Sequence, residues 1–67
     1  MGGARWLKLW KGSDEIKYWQ ISDVLDVGFK VSPEGTGVLN VTVKAFTEWG
    51  FAVESYPWTD DCELRFS

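Results

Sequence analysis

Two acidic clusters are the first candidates for chemistry, because paired carboxylates can act as general acid and base or hold a metal ion. One cluster contains Asp23 and Asp26, and the other contains Asp60, Asp61 and Glu63. Neither has the spacing of a calcium-binding loop. Aspartate is common in turns, where its side chain bonds the local backbone. We therefore interpret both clusters as solvated turn residues and predict no metal site.

Cys62 is the next candidate, as the one cysteine of a chain that has no histidine. A catalytic thiol needs a cationic or imidazole neighbour to form the thiolate. Cys62 also alternates with Leu64 and Phe66, which predicts three inward-facing positions on a strand. The glycines of 35–37 precede a strand pattern and not a helix, so they indicate a turn and not a phosphate cradle. We predict no catalytic residue, no cofactor and no enzymatic activity.

Tryptophan is the unusual component of this chain, with five Trp, four Phe and two Tyr among 67 residues. A buried aromatic side chain removes about 150–250 Å² from water, and a domain of this size has a small interior. Trp6 and Trp10 alternate with Leu7 and Leu9, so the two pairs should face opposite ways. Exposed aromatic surface marks interaction sites. We predict an interaction surface formed by Trp6, Lys8, Trp10, Tyr18 and Trp58.

An alternative interpretation places the same rings in a second core. A sheet that is covered on both faces has no polar face. Trp6 and Trp10 would then be covered by Trp49 or Trp58 from the loops. The sequence leaves both interpretations open.

The elements that must position these residues are strands. Residues 38–46 alternate apolar and polar side chains, with Leu39, Val41 and Val43 on one side, which is typical of a half-buried strand. A turn-rich segment of about five residues connects this strand to a similar run at 27–31, as in a hairpin. Pro57 should end a strand or lie on a sheet edge. The predicted strands span residues 5–11, 15–21, 27–31, 38–46, 51–56 and 62–66.

A helix over 14–27 is the main competing structure, because Ser13 could cap it. At the helical advance of about 100° per residue its apolar side chains surround the axis, whereas a surface helix shows one stripe. A single helical turn at 22–26 is compatible with the pattern, because Ser or Asp can cap it. We predict one all-β domain over 1–67, with 1–4 as a flexible tail. Its architecture would be a small curled antiparallel sheet or a partly open, SH3-like barrel of five to six strands.

The SH3-like comparison concerns size and fold alone, because the acidic loop and paired tryptophans of such barrels are missing, and fold does not fix function.

The charge of the chain argues against nucleic acid as a partner. Seven basic residues stand against ten acidic ones, without the basic stripe that nucleic-acid binding needs. No apolar run of about eighteen residues exists, so we expect no membrane span and no membrane partner. The first five residues lack the apolar core of a signal peptide, and a lone thiol agrees with the cytoplasm.

These observations favour a non-enzymatic protein-interaction module that associates with itself, as a homodimer, or with a partner protein through its tryptophan-rich face. Tryptophan and tyrosine dominate binding hot spots, and an exposed strand edge adds pairing capacity. The alternative function is binding of a carbohydrate or another small ligand by aromatic stacking, with Asn40 or nearby carboxylates holding sugar hydroxyls. Single-stranded nucleic acid ranks below both, because it also requires a basic groove.

Overall fold

The computed structural model describes residues 3–67 and confirms the all-β prediction. The predicted tail at 1–4 lies partly outside these residues, at positions 1 and 2. Each predicted strand is present, with ends that differ by at most three residues. The strands are β1 (Trp6–Lys11), β2 (Asp14–Gln20), β3 (Val24–Val31), β4 (Gly37–Lys44), β5 (Phe51–Trp58) and β6 (Cys62–Phe66), with a 3₁₀ turn at Ile21–Asp23.

The six strands form two three-stranded antiparallel sheets, where the sequence predicted one curled sheet or barrel. Unit 1 consists of the chain up to Asp23 together with Asp60–Ser67, and unit 2 consists of Val24–Thr59. The predicted helical turn occurs one residue earlier than expected and ends at Asp23. It ends there because Val24 already pairs with Val43 of β4.

Unit 1 contains the sheet of order β2-β1-β6, with β1 in the centre. Leu7 lies opposite Trp19 of β2, and Leu9 lies opposite Leu64 of β6. Leu7, Leu9 and Trp19 are buried, as the alternation of β1 predicts for the two leucines. Phe66, which we predicted to face inward, is exposed. Phe66 lies in the last residue pair between β1 and β6, and β6 is an edge strand with no further strand beside it.

A two-residue turn at Gly12 and Ser13 joins β1 to β2. Gly12 has a φ of +60°, which suits the first central position of a type II′ hairpin turn. The N–H of Gly12 also donates to the carbonyl of Asp61 at 2.9 Å, which ties the turn to the start of β6. A bulge follows Leu9, because β2 skips one residue between the partners of Leu9 and Trp10. The bulge fixes which β2 side chains share a face with Trp10.

Unit 2 contains the sheet of order β3-β4-β5. Leu39, Val41 and Val43 of the central strand are buried on one face, as predicted. The predicted hairpin loop spans the five residues 32–36, and the Ser32 hydroxyl accepts a hydrogen bond from the N–H of Thr36 at 3.0 Å. β5 is an edge strand, so the missing N–H of Pro57 is tolerated there.

Candidate functional site

One face of the unit 1 sheet carries most of the predicted interaction residues. Trp6, Lys8 and Trp10 alternate with the buried Leu7 and Leu9, and all three are half-buried. Directly opposite residues of antiparallel strands share a face, and the register therefore adds side chains from β2 and β6. We call this surface the aromatic face; it consists of Trp6, Lys8, Trp10, Glu15, Tyr18, Glu63 and Arg65.

Trp6 and Tyr18 form an edge-to-face pair at one end of the aromatic face. Their ring centroids lie 5.5 Å apart with an interplanar angle of 73°. Tyr18 remains 57% exposed, so the pair presents ring surface to solvent. Together with Lys8 and Glu15 the two rings line a shallow groove of about 240 Å³.

Trp10 and Arg65 form a second aromatic contact on the same face. The guanidinium carbon of Arg65 lies 4.7 Å from the centroid of the Trp10 ring, within the range of a cation–π interaction. Arg65 also donates to Glu63 at 3.1 Å. The indole nitrogen of Trp10 is buried and has no acceptor among the residues that the structure describes. A buried donor without an acceptor costs free energy in the folded chain.

The charges of the aromatic face are balanced. Lys8 lies 4.0 Å from Glu15, and Arg65 pairs with Glu63, so two cations offset two carboxylates. These pairs are partly exposed, and such pairs contribute only about 0–1 kcal/mol. The face therefore offers aromatic area and paired charge without a net field. Within residues 3–67 no group of histidine, cysteine, aspartate and glutamate side chains could hold a metal ion.

Trp58, the fifth predicted residue, belongs to unit 2 and not to the aromatic face. It is half-buried, and its ring contacts Phe29 edge to face with centroids 4.9 Å apart. The two rings come from the outer strands of the unit 2 sheet: Trp58 pairs with Gly37 of β4, and Phe29 pairs with Leu39, two residues further along β4. The glycine at position 37 leaves room for the backbone of Trp58.

Two aromatic residues at the β4–β5 turn were not predicted as site residues. Trp49 is 74% exposed and Phe46 is fully exposed. Of the five tryptophans, Trp19 is buried, Trp6, Trp10 and Trp58 are half-buried, and Trp49 is exposed. The sequence signal that could have identified Phe46 and Trp49 is the presence of aromatic residues within a turn that ends in Gly50.

A wider cleft of about 490 Å³ lies at the start of β1 in unit 1. The cleft is lined by Trp6 on one side and by Arg5, Gln20 and Ser22 around it. Its volume falls within the range of about 300–1,000 Å³ that small-ligand sites occupy. An indole ring beside an amide and a hydroxyl is a combination that suits a polar ring-shaped ligand.

Tyr56 has a clearly perturbed pKa. Its hydroxyl donates to the Glu54 carboxylate at 2.7 Å. Burial first, and then this hydrogen bond and the charge of Glu54, raise the pKa of Tyr56 to about 12. A phenol with so high a pKa stays protonated at neutral pH, so it serves as a hydrogen-bond donor and not as a base.

Comparisons of the chain with protein-family models, with curated proteins and with solved structures found no match. Over the part of the chain that the structure describes, no helix is both long enough and apolar enough to cross a lipid bilayer.

Proposed function

We propose that this protein is a non-enzymatic interaction module that binds a protein surface, including a second copy of itself, through the aromatic face. One observation carries the proposal: Trp6, Trp10, Tyr18 and Arg65 share a single face of one sheet. Tryptophan, tyrosine and arginine are the residue types that dominate interface hot spots. Within the proposal we place the protein in the cytoplasm, because the lone thiol of Cys62 suits a reducing compartment.

The balanced charge of the aromatic face favours association between identical copies. A two-fold interface brings the same surface together with itself, so a face of one net sign would repel its copy. Here Lys8 with Glu15 and Arg65 with Glu63 offset each other within a chain. In a dimer these pairs can exchange partners across the interface without creating unpaired charge.

Sedimentation at several protein concentrations tests this proposal. We expect the mass of the wild-type chain to rise from 7.6 kDa toward twice that value. The double variant Trp6→Ser, Tyr18→Ser should remain a monomer, because it removes the one aromatic pair of the face that presents a groove. Leu25→Ser is the matched control, since Leu25 is an exposed apolar residue of unit 2. Equal masses for the wild type and the double variant at every concentration would contradict self-association.

The cleft at the start of β1 supports a second candidate function, the binding of a carbohydrate. Trp6 supplies a stacking surface, while Gln20 and Ser22 supply polar groups for hydroxyls. Titration with a panel of saccharides, followed by amide chemical shifts, tests this function. Ser22→Ala separates the two candidates, because Ser22 lines the cleft and lies outside the aromatic face. Carbohydrate binding should weaken in this variant while self-association is unchanged.

A further inference from the structure

The turn between β4 and β5 and the first residue of β5 expose three aromatic rings that no part of the proposed function uses. Phe46 is fully exposed, Trp49 is 74% exposed and Phe51 is 46% exposed. We call these three residues the aromatic tip. Unit 2 contains the whole of this hairpin. The rings project from six consecutive residues, and solvent exposure of this much aromatic surface is unfavourable unless it is covered by another phase or molecule.

The backbone of the turn already bonds to itself. The N–H of Ala45 donates to the carbonyl of Gly50 at 3.4 Å, and the N–H of Gly50 donates to the carbonyl of Thr47 at 3.0 Å. The Thr47 hydroxyl donates to the carbonyl of Phe51 at 3.3 Å. Backbone that enters an apolar phase must satisfy its polar groups internally. These three hydrogen bonds satisfy part of this requirement, and the rings of Phe46 and Trp49 remain exposed.

By themselves the three rings of the aromatic tip would cover less area than a standard protein interface buries. Three aromatic side chains offer at most about 450–750 Å², even if every ring were covered completely. A standard interface buries about 800 Å² on each partner. Because Phe51 is already about half covered, the available area is lower still. A lipid surface needs no shape complementarity, and tryptophan partitions well into the headgroup region of a bilayer.

The charges near the tip indicate what kind of lipid surface would fit. Glu48 lies between the tip residues in sequence, Lys44 ends β4, and the whole chain has a net charge of −3. An anionic bilayer would repel a chain of that charge. A zwitterionic surface instead presents quaternary ammonium groups, which bind aromatic faces by cation–π interaction and pair with carboxylates. Trp49 and Glu48 are neighbours of the required types.

We propose that the aromatic tip docks the protein on zwitterionic, phosphocholine-bearing lipid surfaces, with Phe46 and Trp49 inserted at headgroup depth. The sequence-based expectation of no membrane partner came from the missing apolar span. Surface insertion requires only a few exposed apolar side chains and no span. The site belongs to unit 2, so this proposal is independent of the aromatic face.

Co-sedimentation with phosphatidylcholine vesicles tests the proposal. We expect the wild-type chain to bind these vesicles and to bind less when a quarter of the lipid is replaced by phosphatidylserine. The double variant Phe46→Ser, Trp49→Ser should lose at least about tenfold in partition coefficient, because tenfold corresponds to withdrawal of only about 55 Å² of apolar surface. Both residues are exposed, so thermal unfolding of this variant should match the wild type.

Val31→Ser is the control for loss of an exposed apolar side chain. Val31 is 74% exposed, like Trp49, and it ends β3 at the Gly37 end of β4, away from the β4–β5 turn. It should bind phosphatidylcholine vesicles as the wild type does. Three results would overturn the proposal: no binding to phosphatidylcholine vesicles, binding that requires phosphatidylserine, or an equal loss in Val31→Ser and the double variant.

Discussion

Substitution of Gly37 by alanine tests the packing of unit 2 most directly. A Cβ atom at Gly37 would lie 3.0 Å from the carbonyl oxygen of Trp58 and 3.3 Å from its Cβ atom. That oxygen belongs to the backbone of a paired strand, so it cannot rotate away as a side chain would. Overpacking of this kind costs about 1–3 kcal/mol of the free energy of unfolding. The lower entropy of the unfolded alanine chain offsets about 0.4–1 kcal/mol.

Gly28→Ala is the matched control in the same sheet. No atom lies within 4 Å of a Cβ placed at Gly28, so only the entropic gain should remain. Relative to the wild type, Gly37→Ala should therefore lower the free energy of unfolding and Gly28→Ala should raise it. The difference between the two variants is then the steric cost alone. For a domain of this size 1 kcal/mol shifts Tm by about 4–8 °C. We expect Gly37→Ala to melt at least about 4 °C below Gly28→Ala by circular dichroism.

A melting temperature for Gly37→Ala equal to or above that of Gly28→Ala would refute this reasoning. Such a result would mean that β5 moves away from β4 by a few tenths of an ångström at little cost. The edge-to-face contact between Phe29 and Trp58 would then be looser than its 4.9 Å separation implies. Near-ultraviolet circular dichroism reports on that contact independently, because it responds to the fixed environment of the indole ring.

Two further predictions concern pH and the core. The pKa of Tyr56 is raised in the folded state to about 12, whereas an unfolded tyrosine titrates near about 10. The unfolded chain therefore loses this proton first, and the stability that Tyr56 contributes below pH 10 disappears as the pH rises toward 12. The free energy of unfolding of the wild type, measured by urea denaturation, should fall more between pH 10 and pH 12 than that of the Tyr56→Phe variant. Equal dependence of the two free energies on pH would contradict the raised pKa. Leu9→Ala should destabilise the chain by about 2–5 kcal/mol, because Leu9 is fully buried. Leu25→Ala, at an exposed leucine, should change the free energy of unfolding by less than about 0.5 kcal/mol, and chemical denaturation of both variants provides the comparison.

Local sequence patterns predicted the strands well, because each strand's alternation reflects its own two faces. The burial of Leu39, Val41 and Val43 follows directly from the period-two pattern of β4. The division into two sheets was not predicted, since the pairing of β1 with β6 joins residues more than fifty positions apart. No local pattern encodes such a pairing, and the inward prediction for Phe66 was wrong for a related reason: burial depends on what lies beside an edge strand.

For the site, too, local patterns predicted which residues share a face of one strand, but not the contacts that depend on pairing between distant strands. Alternation predicted that Trp6, Lys8 and Trp10 share one face of β1. The burial pattern of the strand agrees, with Leu7 and Leu9 buried on the other face. The contact of Arg65 with Trp10 was not predicted, because it depends on the register of β6 against β1. Residues of the β4–β5 turn were also not predicted as a site, because turn composition does not reveal how far a ring projects into solvent.

The difference between the two aromatic surfaces suggests why they would bind different kinds of partner. On the aromatic face, Trp6 is held against Tyr18 and Trp10 is held under Arg65, so these rings are ordered before any partner arrives. Preorganised side chains lose less entropy on association, which favours a specific protein interface. Phe46 of the tip is fully exposed, and its ring would have to be ordered by whatever covers it. A fluid lipid surface imposes little order, so an exposed ring loses less side-chain entropy there than it would against a rigid protein surface.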